Sequence, residues 1–112
     1  MLMQPVDDLD AALRFYRDGL GLSVKFRDGE RFAALDAGGF TLALAAAGER
    51  VVDTPALAWR VDDIDAALAR LVAAGARIVS PSEKGPHEWR AVLRDVAGHP
   101  LVLTAKRPTP QS

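Results

Sequence analysis

The chain has no cysteine, so neither a disulfide framework nor thiolate chemistry is available to it. Imidazole is scarce as well: His87 and His99 are the only histidines, too far apart to be a ligand pair at any usual spacing. Charge of one sign is also lacking. Fourteen Lys and Arg against fifteen Asp and Glu leave a net charge of −1, with the signs interspersed. That removes the basic footprint of a nucleic-acid binder and the polybasic block of a membrane-surface protein. No apolar run approaches the roughly 20 residues of a membrane span, and the N-terminus carries no signal-peptide pattern, so a cytoplasmic location is expected.

What the chain does have is a repeat. Residues 6–13 read Val-Asp-Asp-Leu-Asp-Ala-Ala-Leu and residues 61–68 read Val-Asp-Asp-Ile-Asp-Ala-Ala-Leu, an offset of 55. Each copy ends an alternating apolar run with a valine and passes into acids and then apolar residues at helical spacing. Leu9, Ala12, Leu13 and Tyr16 form the apolar stripe of the first copy, and Ile64, Ala67, Leu68 and Leu71 that of the second. Asp7 and Asp62 are expected as N-caps, with Asp10 and Asp65 as the acids of an approximate capping box. Each copy is thus a strand turning sharply into an amphipathic helix.

The repeat continues past the helices. Gly39-Phe40-Thr41-Leu42-Ala43-Leu44 aligns with Gly98-His99-Pro100-Leu101-Val102-Leu103 at an offset of 59, which places a four-residue insertion in the second half, near Pro81–Pro86. Taken in order, strands are expected at 1–6, 22–27, 31–36, 40–46, 56–61, 77–79, 89–94 and 101–106, with helices at about 8–18 and 63–74. Gly19 and Gly21 supply a helix C-cap, and Asp28-Gly29 a hairpin turn. The expected fold class is α+β. Two tandem βαβββ modules form one domain over 1–106, as a curved, mixed, eight-stranded sheet with both helices on its convex face. Module one spans about 1–46, a linker 47–54, module two about 55–106, and 107–112 is a flexible tail. The concave face is left open as a pocket.

The pattern resembles the glyoxalase, bleomycin-resistance and extradiol dioxygenase superfamily, also called vicinal oxygen chelate proteins. The resemblance is carried by Val6-Asp7-Asp8-Leu9-Asp10, Phe15-Tyr16 and Gly19-Leu20-Gly21-Leu22 in the first half. In the second half it is carried by 57–64 and by Asp95-Val96-Ala97-Gly98-His99-Pro100, which is similar to the family's Asp-Pro-Asp-Gly-Asn-Pro turn. It covers about residues 1–106. It is specific for fold and poorly specific for function, because the superfamily hosts isomerases, dioxygenases, epimerases, thiol transferases and binding proteins.

The resemblance implies a divalent metal held by His or Glu at four strand positions, which fall here on Met1, Ala43, Ala56 and Val102. None of these offers the imidazole or carboxylate that such an ion takes. The expectation is a member with neither metal nor cofactor. Metal-dependent glyoxalase or dioxygenase chemistry is disfavoured, and an enzyme is the less favoured class.

Strand alternation sorts the remaining residues. If Ala56 faces the cavity, so do Ala58 and Arg60, while Leu57, Trp59 and Val61 pack under the helices. By the same parity Met3, Thr41, Ala43, Val102 and Thr104 face the cavity, and Leu42, Leu44, Leu101 and Leu103 face the core. His87 and Trp89, in the insertion region, complete the ligand-binding candidates, Trp89 either as a stacking ring or as a cap on the open end of the core. This small, apolar face with polar groups at its rim suits a small organic ligand. Near-neutral charge disfavours a cationic drug of the bleomycin type and favours a neutral or aromatic molecule. The alternative, a metal-independent isomerase or lyase of the same superfamily, needs Arg60 or His87 inside the cavity. A homodimer is expected, since relatives of the family pair and the short first strand leaves an edge to cover.

Overall fold

The structure, a computed structural model, describes residues 1–107. Beyond Arg107 the expected tail lies outside the described residues. The chain divides into two compact units between Pro55 and Ala56. Each is a βαβββ module, so the α+β class read from the repeat holds, with eight strands of mixed pairing and two helices among the described residues. Neither helix is long and apolar enough to cross a membrane.

Module one runs β1 (Leu2–Pro5), α1 (Leu9–Leu20), β2 (Ser23–Asp28), β3 (Phe32–Asp36) and β4 (Thr41–Ala45). β1 lies parallel to β4, and β4, β3 and β2 follow as antiparallel neighbours. The helix starts one residue later than its first aspartate suggests. Asp8, not Asp7, is the N-cap, in extended conformation, and its carboxylate accepts from Ala11 N at 3.1 Å. Asp7 is instead held by Arg50, and Asp10 accepts from Arg27 of β2 rather than closing a capping box. Gly21 ends the helix in the left-handed region, φ 73°, where a side chain would be strained. Leu9 and Leu13 of the helix stripe pack on Ala33, Leu35, Leu42 and Leu44, and Gln4 donates to the Tyr16 hydroxyl at 2.7 Å, tying β1 to α1. Burying side chains of this size stabilises by about 1.5–3 kcal/mol each.

Module two repeats the plan with β5 (Ala56–Arg60), α2 (Ile64–Ala73), β6 (Arg77–Lys84), β7 (Trp89–Arg94) and β8 (Pro100–Ala105). β5 is parallel to β8, and β8, β7 and β6 are antiparallel neighbours. The parallel register repeats at the offsets of the sequence: Leu2 opposes Leu42 as Leu57 opposes Leu101, and Met3 opposes Ala43 as Ala58 opposes Val102. The cap shift repeats too. Asp63 caps α2 by accepting from Ala66 N at 3.0 Å, and Asp62 does not. Ile64, Leu68, Leu93 and Leu103 form the core beneath α2.

Two expectations need correction here. The strand placed at 77–79 runs to Lys84, through Pro81 and the region read as a loop. β6 pairs only with β7 in this module, and its register slips between Ile78 and Ser80 and again between Ser80 and Glu83. An edge strand with bulges accommodates a proline that a central strand would not. The second correction concerns β5. Leu57 and Trp59, expected under the helix, are 52% and 55% exposed. α2 packs on β6, β7 and β8 and does not reach across β5, so this strand's helix-side residues stay uncovered.

Candidate functional site

The uncovered side of β5 makes a groove. Trp59 forms one wall, Arg70 and Leu71 of α2 with its C-cap Ala74 the other, and Leu101 and Leu103 of β8 contribute apolar surface. Its volume is about 470 Å³, within the roughly 300–1,000 Å³ of small-molecule pockets. It offers an aromatic plane, aliphatic walls and the Arg70 guanidinium. Parity put Trp59 on this face correctly. The position of α2 decided that the face would be open.

A second groove of about 420 Å³ lies where β5 and β8 end, lined by Arg60, Val61, Asp62, Lys106 and Arg107. Parallel pairing sets Arg60 opposite Thr104, which brings the residues after both strands together. At the matching place in module one, a groove of about 440 Å³ is lined by Asp7, Asp8, Leu9, Asp10 and Glu30. Three of those acids are engaged: Asp8 by the helix it caps, Asp7 by Arg50, and Asp10 by Arg27 at 2.6 Å. The Arg27 hydrogen bond and charge hold the Asp10 carboxyl below its usual range.

Of the expected ligand set, Met3 and Ala43 in module one and Ala56, Ala58, Val102 and Thr104 in module two are buried. Thr41 is half-buried and accepts from Lys25 Nζ at 2.9 Å. Arg60 lines the basic groove. His87 is exposed in the bend between β6 and β7, and Trp89 is half-buried at the start of β7, opposite Lys84 and Ala105. His99 belongs to the turn before β8. There Asp95 Oδ1 accepts from Ala97 N and His99 N, both at 2.9 Å.

The residues present do not fit the metal that the family resemblance implies. Ala43, Ala56 and Val102 are buried hydrocarbon, and the Met1 side chain is a soft thioether in place of imidazole or carboxylate. Sequence reasoning missed Lys106 and Arg107, read as strand end and tail, and Glu49, a buried carboxylate in the stretch read as linker. A lone acid between turn residues carries no periodic signal that would have found it.

The family model described as Glyoxalase/Bleomycin resistance protein/Dioxygenase superfamily matches residues 1–103. The chain is 39% identical over 104 residues to an uncharacterised protein of Mycolicibacterium smegmatis, covering 92% of this chain and 89% of that one. Among solved structures it is similar to one from Legionella pneumophila named as an NAD-dependent benzaldehyde dehydrogenase. The TM-score is 0.81 at 18% identity, covering 95% of this chain and 97% of that one. It is also similar to a glyoxalase/bleomycin resistance protein/dioxygenase superfamily member from Vibrio splendidus 12B01. There the TM-score is 0.70 at 20% identity, over 94% and 96% of the two chains. At such identities these two likenesses show the fold alone.

Proposed function

The chain belongs to the glyoxalase/bleomycin resistance protein/dioxygenase superfamily, and from that premise we propose that it is a metal-independent small-molecule-binding protein that holds a neutral or aromatic ligand. The observation that carries the reading is the donor chemistry. Three of the positions where the family resemblance implies His or Glu are alanine or valine, and the fourth is methionine. Hydrocarbon at these places gives a hard or borderline ion nothing to bind.

Module two has two apolar surfaces to compare. The strand face of Ala56, Ala58, Val102 and Thr104 is closed to solvent. The Trp59 groove is open, apolar and large enough, so the ligand belongs there, its ring against the indole and its rim near Arg70. Offset or edge-on aromatic contact adds about 0.5–1.5 kcal/mol to the burial of apolar area.

The experiment is a fluorescence titration with indole, 2-naphthol and coumarin, in the presence of EDTA and then of added Zn²⁺ or Mn²⁺. Saturable quenching that is lost in Trp59→Phe and indifferent to the metals is the expected result. Trp89 remains as an internal reporter in that variant. Binding that appears only with the metal would overturn metal independence. Quenching that survives Trp59→Phe and vanishes in Trp89→Phe would move the ligand to the β6–β7 end, and no response to any of the three probes would sink the reading.

A further inference from the structure

The basic groove at the ends of β5 and β8 has no role in the Trp59 reading and does not depend on it. We infer that this groove is a binding site for a small organic anion carrying at least two negative charges, a phosphate or a pair of carboxylates.

Three cations, Arg60, Lys106 and Arg107, share the groove with one carboxylate, Asp62. Among the described residues none of these four side chains makes a hydrogen bond or ion pair. Three cations against one carboxylate leave an excess of positive charge whose members repel one another, and an external oxyanion relieves that repulsion. The Arg fork pairs with carboxylate or phosphate in two parallel bonds, and Lys adds a point charge.

The repeat supplies the control. Module one builds the same strand end and helix start, and there the chain supplies its own cation to the strand end. Arg50 donates to Val6 O from Nε at 3.2 Å and from Nη2 at 2.7 Å, and pairs with Asp7. The corresponding lining is acidic. The βαβββ turn therefore forms with acids at this place, and the cations of module two are not a requirement of the fold. Their matches at the repeat offsets are uncharged: Pro5 for Arg60, Ala47 for Lys106 and Gly48 for Arg107. The groove's volume of about 420 Å³ exceeds a bare ion's need and suits an organic anion. A net charge of −1 with the signs interspersed is not the strongly basic balance a nucleic-acid binder carries.

The test is calorimetric titration of the full chain with inorganic phosphate, glycerol 3-phosphate and citrate at low and high salt. Amide shifts of Val61, Asp62 and Lys106 locate the site. Binding of glycerol 3-phosphate or citrate should weaken roughly tenfold in Arg60→Gln, as expected for loss of a charged hydrogen-bond donor, and fall away in the triple variant Arg60→Gln, Lys106→Gln, Arg107→Gln. Asp62→Asn should tighten binding by removing the one repelling carboxylate, an outcome that a merely misfolded variant cannot produce. Arg14→Gln, on an exposed helix face of module one, should leave binding unchanged. A stronger response to the phosphate ester assigns a phosphate head, and a stronger response to citrate assigns the carboxylates. No binding of any of the three anions, equal binding by the triple variant, or weaker binding by Asp62→Asn would overturn the site.

Discussion

Arg27 of β2 donates to the carboxylate of Asp10 on α1 at 2.6 Å, so an ion pair ties the first helix of module one to the outer strand of its sheet. The same guanidinium donates to Gly29 O at 2.7 Å, which steadies its fork beside the helix. The hydrogen bond from Arg27, then its charge, lowers the Asp10 carboxyl from its usual value of 3.8. A group whose folded value is depressed contributes stability that is present above the unfolded value and is lost as pH falls through the folded one. Arg27→Gln should therefore move the Asp10 titration back towards 3.8 in a carboxyl NMR experiment. The stability difference between the two proteins should shrink as pH falls through the depressed folded value, where the carboxyl takes up its proton in both. An Asp10 titration unchanged by the substitution would show that Arg27 is not its cause.

The two aspartates that open α2 should separate cleanly under substitution. Asp63→Ala removes the side chain that accepts from Ala66 N and should cost about 1 kcal/mol by urea denaturation. Asp62→Ala removes no hydrogen bond among the described residues and should be close to neutral. In module one Asp8→Ala should resemble Asp63→Ala, since Asp8 holds Ala11 N. Equal losses at 62 and 63 would contradict the cap assignment.

Gly75, past the end of α2, combines two constraints. Its φ is 110°, and a Cβ built there would lie 2.8 Å from Val96 Cγ1. Gly75→Ala should destabilise by about 1–3 kcal/mol through backbone strain, with the contact adding to it. Pairing it with Val96→Ala should recover only the part due to the contact. Full recovery in the double variant would mean that the backbone angle carries no strain.

The fold was largely legible because its signals are local and occur twice. Glycines where the left-handed region is needed, aspartates before apolar helical stripes and alternation in the strands each act over a few residues. Their recurrence at offsets of 55 and 59 reappears as the parallel register of β1 with β4 and β5 with β8. The errors came where one local signal had two readings. Asp7-Asp8 and Asp62-Asp63 each offer two caps one residue apart, and the choice depends on which backbone N–H groups the turn presents. Pro81 reads as a loop residue, yet a bulged edge strand carries it. The candidate site was less legible. Trp59 was assigned to the correct face and the wrong burial, and the basic groove joins residues about 45 positions apart in the chain.

By itself the sequence determined the two βαβββ modules, their core faces and the absence of metal donors at Met1, Ala43, Ala56 and Val102, because periodicity and side-chain chemistry are properties of the chain alone. Tertiary structure decided which faces stay open. α2 sits over β6 to β8 and leaves Trp59 uncovered, and the parallel pairing of β5 with β8 gathers Arg60, Lys106 and Arg107 into one groove. Spacing along a strand sets the direction of a side chain, but exposure depends on whichever distant segment packs against it.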